Sequence, residues 1–135
     1  MSGTLDVTAM YLAHDALRRE LELLARTAAR IDDDPRRILG TTAGLTGHLE
    51  HEEEEALPLI QAIVTEQQWQ HFGQVNARLV GPDAPRILPW MLDGASAQIT
   101  ATMLAPLPEP ARLAYRNEWQ PAYAALDRWG AGTAG

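Results

Sequence analysis

His48 and Glu52 are four residues apart, a spacing that on a helix aims an imidazole nitrogen and a carboxylate oxygen the same way from adjacent turns. Such a pair can close on one cation, and nitrogen with oxygen donors suits Fe(II), Zn or Mn. Far upstream, His14 interrupts the series Met10, Leu17, Leu21, Leu24, where every other member is apolar. Burying an unpaired imidazole or carboxylate is costly. Each residue alone has a plainer reading: His14 as a hydrogen-bonded core histidine, Glu52 as one solvated member of an acidic run. On stripes that share one interior, the three read better as ligands of a metal. A second pair of the same spacing, His51 and Glu55, lies on the face of Gly44 and Gly47. That face is less apolar, so His48 and Glu52 are assigned inward. His51 is then a surface residue, a hydrogen-bond partner behind the ligands, or a proton carrier.

Composition narrows what else is available. The chain has 135 residues, 46% of them hydrophobic, with a formal charge of −7 and no cysteine. This length and balance predict one folded domain over residues 1–135. Without cysteine there are no disulfides, thiolate metal sites, iron–sulfur clusters or Cys nucleophiles, so any metal is held by nitrogen and oxygen. All eleven basic side chains are arginine, and the acidic excess argues against a nucleic-acid surface. No apolar run reaches the roughly 18 residues of a membrane span, and no secretory signal is visible, so the expectation is a cytoplasmic protein. Ser2 and Ser96 are the only serines, and neither sits in a Gly-x-Ser-x-Gly turn. Gly-rich phosphate loops are absent as well. Eight of the 18 acids fall in two clusters, Asp32 to Asp34 and Glu50 with Glu52 to Glu55.

The elements that position these residues follow from the apolar period. Met10, Leu17, Leu21, Leu24, Ala28 and Ile31 recur at three and four residues, predicting a helix from Thr8 to Ile31. Asp32 to Asp34 and Pro35 stop it and start a second, which carries Ile38, Leu45, Leu49, Ala56, Leu59 and Ile63 and ends near Val64, with a kink expected at Pro58. Thr65 can cap a third helix with Trp69, Phe72, Val75 and Leu79, closed by Gly81 and Pro82. A fourth carries Ile87, Trp90, Met91, Ile99 and Leu104 and is interrupted by Pro89 and Gly94. A fifth starts near Ala111, with Tyr115, Trp119, Tyr123 and Trp129 on one side and a break expected at Pro121. That aromatic stripe packs across the molecule, lines a dimer interface or covers the site. No segment alternates with a period of two. The predicted fold is all-α: an antiparallel four-helix bundle over about residues 8–105, with an additional C-terminal helix over about residues 111–130.

His14-Asp15-Ala16-Leu17-Arg18, and the run from His48 through Glu52 to Pro58 ten residues after the histidine, resemble the hemerythrin-like HHE cation-binding domain family. The resemblance covers about the first 80 residues well and the rest loosely. It implies a four-helix bundle with two non-haem irons, bridged by a Glu and an Asp and completed by histidines. Carried over by position, His14 and His48 are ligands and Glu52 is the bridging Glu. Of the family's His-x-x-x-His on helix three, this chain has His71 but Gln67 in the first place. Of the His and Asp on helix four it has Asp93 at the nearest match and no histidine.

By that assignment one iron position keeps His14, His48, Glu52 and Asp93, while the other keeps His71, with Glu66 and Gln67 as substitute donors. Two His with carboxylates suit a mononuclear ferrous site with open positions. The resemblance therefore implies binding of non-haem iron, mononuclear or di-iron, or Zn or Mn in its place. The chemistry would be sensing of, or reaction with, O2, peroxide or nitric oxide, and not reversible O2 carriage by two irons. The alternative is a metal-depleted relative that serves as a protein interaction module, with the C-terminal aromatic helix as its surface and a homodimer as one outcome.

Overall fold

In a computed structural model, residues 4–31, 34, 36–126 and 128 are described, and no strand occurs among them. The protein is all-α. By their contacts the residues fall into two compact units, Met1–Trp69 with Arg128–Gly135, and Gln70–Asp127.

The first unit opens with α1 (Thr8–Ile31), whose start is set by Asp6: its Oδ1 accepts the Thr8 amide at 3.0 Å. The Thr8 hydroxyl, together with that amide bond, holds the Asp6 carboxyl below its usual range. α1 packs on α2 (Arg36–His51) in antiparallel fashion. His14 and Arg18 meet Glu53, while Leu21 and Leu24 stand beside Ile38, Thr41 and Leu45. Of the turn expected between them, Asp34 binds the Arg36 guanidinium at 2.8 Å, and Asp32, Asp33 and Pro35 lie outside the described residues. The segment before α1 is fixed at two points. Gln61 makes a two-way bond with the Leu5 backbone at 2.8 and 2.9 Å, and the Trp69 indole N–H donates to the Asp6 carbonyl at 3.0 Å.

α2 does not end at Pro58 but widens before it. One π-helical turn, Glu52–Ala56, joins it to α3 (Leu57–Ile63), and the Leu57 amide reaches back five residues to the Glu52 carbonyl. Proline has no N–H, and its ring clashes with the carbonyl four residues earlier, here Glu54, so a wider turn relieves the conflict while the helix continues. After α3, Thr65 and Gln68 exchange bonds of 3.0 and 3.1 Å in a capping box that opens α4 (Glu66–Val80).

In the second unit a short 3-10 turn, Gly81–Asp83, leads into α5 (Ala84–Leu92), which keeps Pro89 inside it. Gly94, at φ 79, turns the chain out of α5, and the Ser96 hydroxyl caps α6 (Ala97–Leu104) by accepting the Ile99 amide. The expected fourth helix is thus two helices. α7 (Glu109–Ala114) passes through a second π-helical turn, Tyr115–Trp119, into α8 (Gln120–Ala124). This turn also closes one residue before a proline, with the Gln120 amide on the Tyr115 carbonyl and Pro121 next. α5 packs against this turn and α8. Of the aromatic stripe, Tyr115 is buried, Trp119 and Tyr123 are half-buried, and Trp129 lies outside the described residues.

Among the described residues the buried apolar side chains are Leu5, Ala16, Ala28, Leu49 and Leu57 in the first unit and Pro89, Leu92, Leu104 and Tyr115 in the second. Several stripe positions expected inside are exposed, among them Leu17, Leu45, Leu59, Ile63, Phe72 and Leu79. An antiparallel pair of helices covers only the side each turns to the other, so apolar positions beyond that seam keep their exposure. Among the described residues no helix is long and apolar enough to cross a membrane.

Candidate functional site

His14 sits one turn and a half into α1, 6% exposed, and both nitrogens of its ring meet carboxylates. Nδ1 is 3.0 Å from Glu53 Oε1, and Nε2 is 3.3 Å from Glu52 Oε2. The other Glu52 oxygen, Oε1, is 2.9 Å from His48 Nε2. One carboxylate therefore stands between two imidazoles contributed by different helices. His48 is largely exposed, Glu52 is about one-third exposed and His14 is buried, so the cluster runs from the interior of the unit to its surface.

The widened turn explains why two successive glutamates share one histidine. In a regular α-helix, neighbours point about 100° apart. The π-helical turn begins at Glu52, and both Glu52 and Glu53 reach His14 across the α1 seam. Glu53 is the deeper of the two, with a side chain 18% exposed against 37% for Glu52. It accepts a bidentate fork from Arg18, Nη1 to Oε1 at 2.9 Å and Nη2 to Oε2 at 2.8 Å. The Arg18 guanidinium holds the Glu53 carboxyl below the usual glutamate range, with the His14 bond adding to the effect. Asp15, one residue after His14, takes a second, more exposed bond from Arg18 at 3.1 Å.

His14, His48 and Glu52 are thus brought together. His51 and Glu55 form their own pair at 3.5 Å on an exposed face. Glu54 and Glu50 are exposed. The two remaining sequence candidates belong to the second unit: His71 is exposed on α4, and Asp93, just past α5, accepts the Tyr123 hydroxyl at 3.0 Å. Glu53 and Arg18 are additions that sequence reasoning missed. A signal for each existed, since Arg18 is four residues from His14 on the same face of α1, and Pro58 sits where a regular helix would have to break or widen.

The cluster is rich in acceptors. Two carboxylates face one guanidinium and two imidazoles, and a neutral imidazole carries one N–H and one lone pair. With Nδ1 of His14 donating to Glu53, Nε2 turns a lone pair toward Glu52 unless a proton or a cation lies between them. Among the described residues, no three His, Asp or Glu are grouped so as to hold a metal ion, and the separations above are those of hydrogen bonds. Imidazole nitrogen and carboxylate oxygen are the donor types a borderline cation takes, and here both His14 nitrogens and His48 Nε2 are each paired with a carboxylate. Beside the cluster, a cleft of about 470 Å³ opens between α1 and α2, with Arg18, Leu21, Thr42, Thr46 and Glu50 among its walls.

Compared with known proteins, the chain matches no family model, no curated protein and no solved structure.

Proposed function

We propose that the chain is a hemerythrin-like metal-binding protein that holds non-haem iron through His14, His48 and Glu52 and senses or reacts with O2, peroxide or nitric oxide. The antiparallel four-helix arrangement, the further ligands His71 and Asp93, and a cytoplasmic location belong to the same proposal. The observation that carries it is the convergence of two Nε2 atoms, from α1 and α2, on the single carboxylate of Glu52, at 3.3 and 2.9 Å. That is the residue set, and the spacing, on which the family resemblance rests.

The chain's own groups have distinct tasks in this reading. His14 supplies a buried, oriented nitrogen, and His48 supplies an exposed one that can swing. Glu52 supplies charge between them, and burial on the α1 side limits water on that flank. A ferrous ion with open positions would supply the affinity for a diatomic or peroxide ligand. The acidic surroundings, Glu50 and Glu53 to Glu55, favour a cation over an anion at this end of the unit.

Protein purified with iron available, then analysed for bound metal, tests this. About one metal per chain in the parent and near none in His48→Ala is the expected result. Substoichiometric iron, zinc and manganese in both would overturn the proposal. Two metals with an oxo-to-iron absorption band would show a second position with a donor beyond this ligand count. The interaction-module reading is favoured by a different observation, the exposure of Leu113 on α7 and of Leu126 just past α8. It predicts a metal-free protein whose oligomeric state changes when those leucines become polar.

A further inference from the structure

The ligand role proposed for His14 requires that its Nε2 carry a lone pair, not a proton, toward Glu52. Which nitrogen of a histidine holds the proton is set by the partner of the other nitrogen. On the far side of this ring that partner is a carboxylate, Glu53, with Oε1 3.0 Å from Nδ1. Glu53 is itself immobilised by both guanidinium nitrogens of Arg18, at 2.9 and 2.8 Å. All three groups are at least about two-thirds covered, with side chains 8%, 18% and 27% exposed for His14, Glu53 and Arg18. Both rings face Glu52 through Nε2, at 3.3 Å for His14 and 2.9 Å for His48, but His48 is exposed and only His14 has the Glu53 carboxylate at its Nδ1.

We propose that Glu53, locked by Arg18, is a positioning residue that holds the neutral His14 ring in its Nδ1–H tautomer and so presents Nε2 as the metal-binding atom. The inference rests on the metal reading above and adds residues outside the expected ligand set. A carboxylate behind a ligand histidine fixes the ring's rotation and raises its basicity, and loss of such a partner typically weakens metal binding. Arg18 acts one step further back: its fork allows Glu53 one orientation, with Oε1 toward the ring.

The test is made first on the metal-free full chain, labelled with ¹⁵N, at a pH of about 9, above the ordinary range of imidazole. Long-range proton–nitrogen correlations separate the tautomers of the four histidines, and His14→Gln identifies the signals of His14. The expected result is a protonated Nδ1 and an unprotonated Nε2 at His14. Glu53→Leu should abolish the Nδ1–H preference of His14 and lower Zn²⁺ affinity about 10- to 100-fold. Glu53→Gln, which keeps an acceptor oxygen, should restore the tautomer. A protonated Nε2 at His14 in the parent protein would overturn the inference without any variant having to fold. So would an unchanged tautomer in a folded Glu53→Leu protein. If the tautomer is as expected but neither Zn²⁺ nor Fe²⁺ binds the parent, the metal reading falls and the positioning role falls with it.

Discussion

Arg18 grips Glu53 with both ends of its guanidinium, across the seam between α1 and the widened turn after α2. The same arginine reaches Asp15 on its own helix, where the partner is well exposed. Planar, bidentate and partly covered pairs contribute more than single exposed ones, because less side-chain freedom is lost per bond and less water competes.

The two contacts of Arg18 should therefore separate cleanly in urea unfolding of the metal-free protein. Arg18→Met should cost about 1.5–3 kcal/mol, the range for bonds to charged groups. Asp15→Asn should cost no more than about 0.5 kcal/mol. Equal losses would mean that the α1 face is held by a diffuse field and not by the Glu53 fork.

Metal affinity should distinguish neighbours in the acidic run. Glu52→Gln removes the carboxylate shared by His14 and His48 and should weaken Zn²⁺ or Fe²⁺ binding by at least about 10-fold, the scale of one lost charged ligand or its support. Glu54→Gln, on the exposed side of the same turn, should change affinity less than about twofold at moderate salt, where exposed charges are screened. Calorimetric titration of each variant decides between them, and matching effects at both positions would remove Glu52 from the ligand set.

Two glycines should respond in opposite directions to alanine. Gly94 has φ 79, a conformation that side chains rarely adopt, so Gly94→Ala should destabilise by about 1 kcal/mol even though open space surrounds it. Gly44 lies inside α2, also with open space where a Cβ would go, so Gly44→Ala should stabilise by roughly 0.5–1 kcal/mol. Thermal unfolding of the two variants checks both signs.

Tyr115 sets an alkaline limit to stability. Burial pushes its phenol above the ordinary value of 10.0, and the nearby charge of Asp93 pushes in the same direction. The folded state therefore keeps this proton at pH values where the unfolded chain releases it. Stability contributed by the neutral phenol is full below about pH 10 and declines as pH rises from there toward the folded value. Tyr115→Phe should flatten that decline, as read from urea midpoints between neutral pH and pH values above 10. An unchanged slope would assign the alkaline loss to other groups.

Some helix limits were legible from local signals, but Pro89 and Pro121, expected to interrupt helices, lie within α5 and α8. The period from Met10 to Ile31 delimits α1, and Thr65 opens α4 as its cap. The spacing of His48 and Glu52, and the place of His14 on a stripe, sufficed to bring those three residues together. Two things were hidden. An apolar stripe records only that a face is apolar, whereas burial depends on which element covers it, and Leu17, Leu45 and Phe72 stayed exposed. A helical wheel with a fixed 3.6-residue period places Glu53 among the solvated acids, and it failed where Pro58 changed the period.

Both prolines that follow a widened turn, Pro58 and Pro121, have a common consequence for the chain that comes after them. A turn closed by a five-residue step holds one residue more than its α-helical counterpart, so everything downstream is dialled back by a single position. The wheel for Leu57–Ile63 is thus offset from the wheel for Arg36–His51 by one residue. A deletion of Glu54 together with Pro58→Ala would close the turn in the regular period while leaving Leu49 and Leu57 facing as they do now. A deletion anywhere else in the two helices would twist one half against the other. Length changes, usually excluded from helix interiors, thus have one permitted address in each half of this sequence.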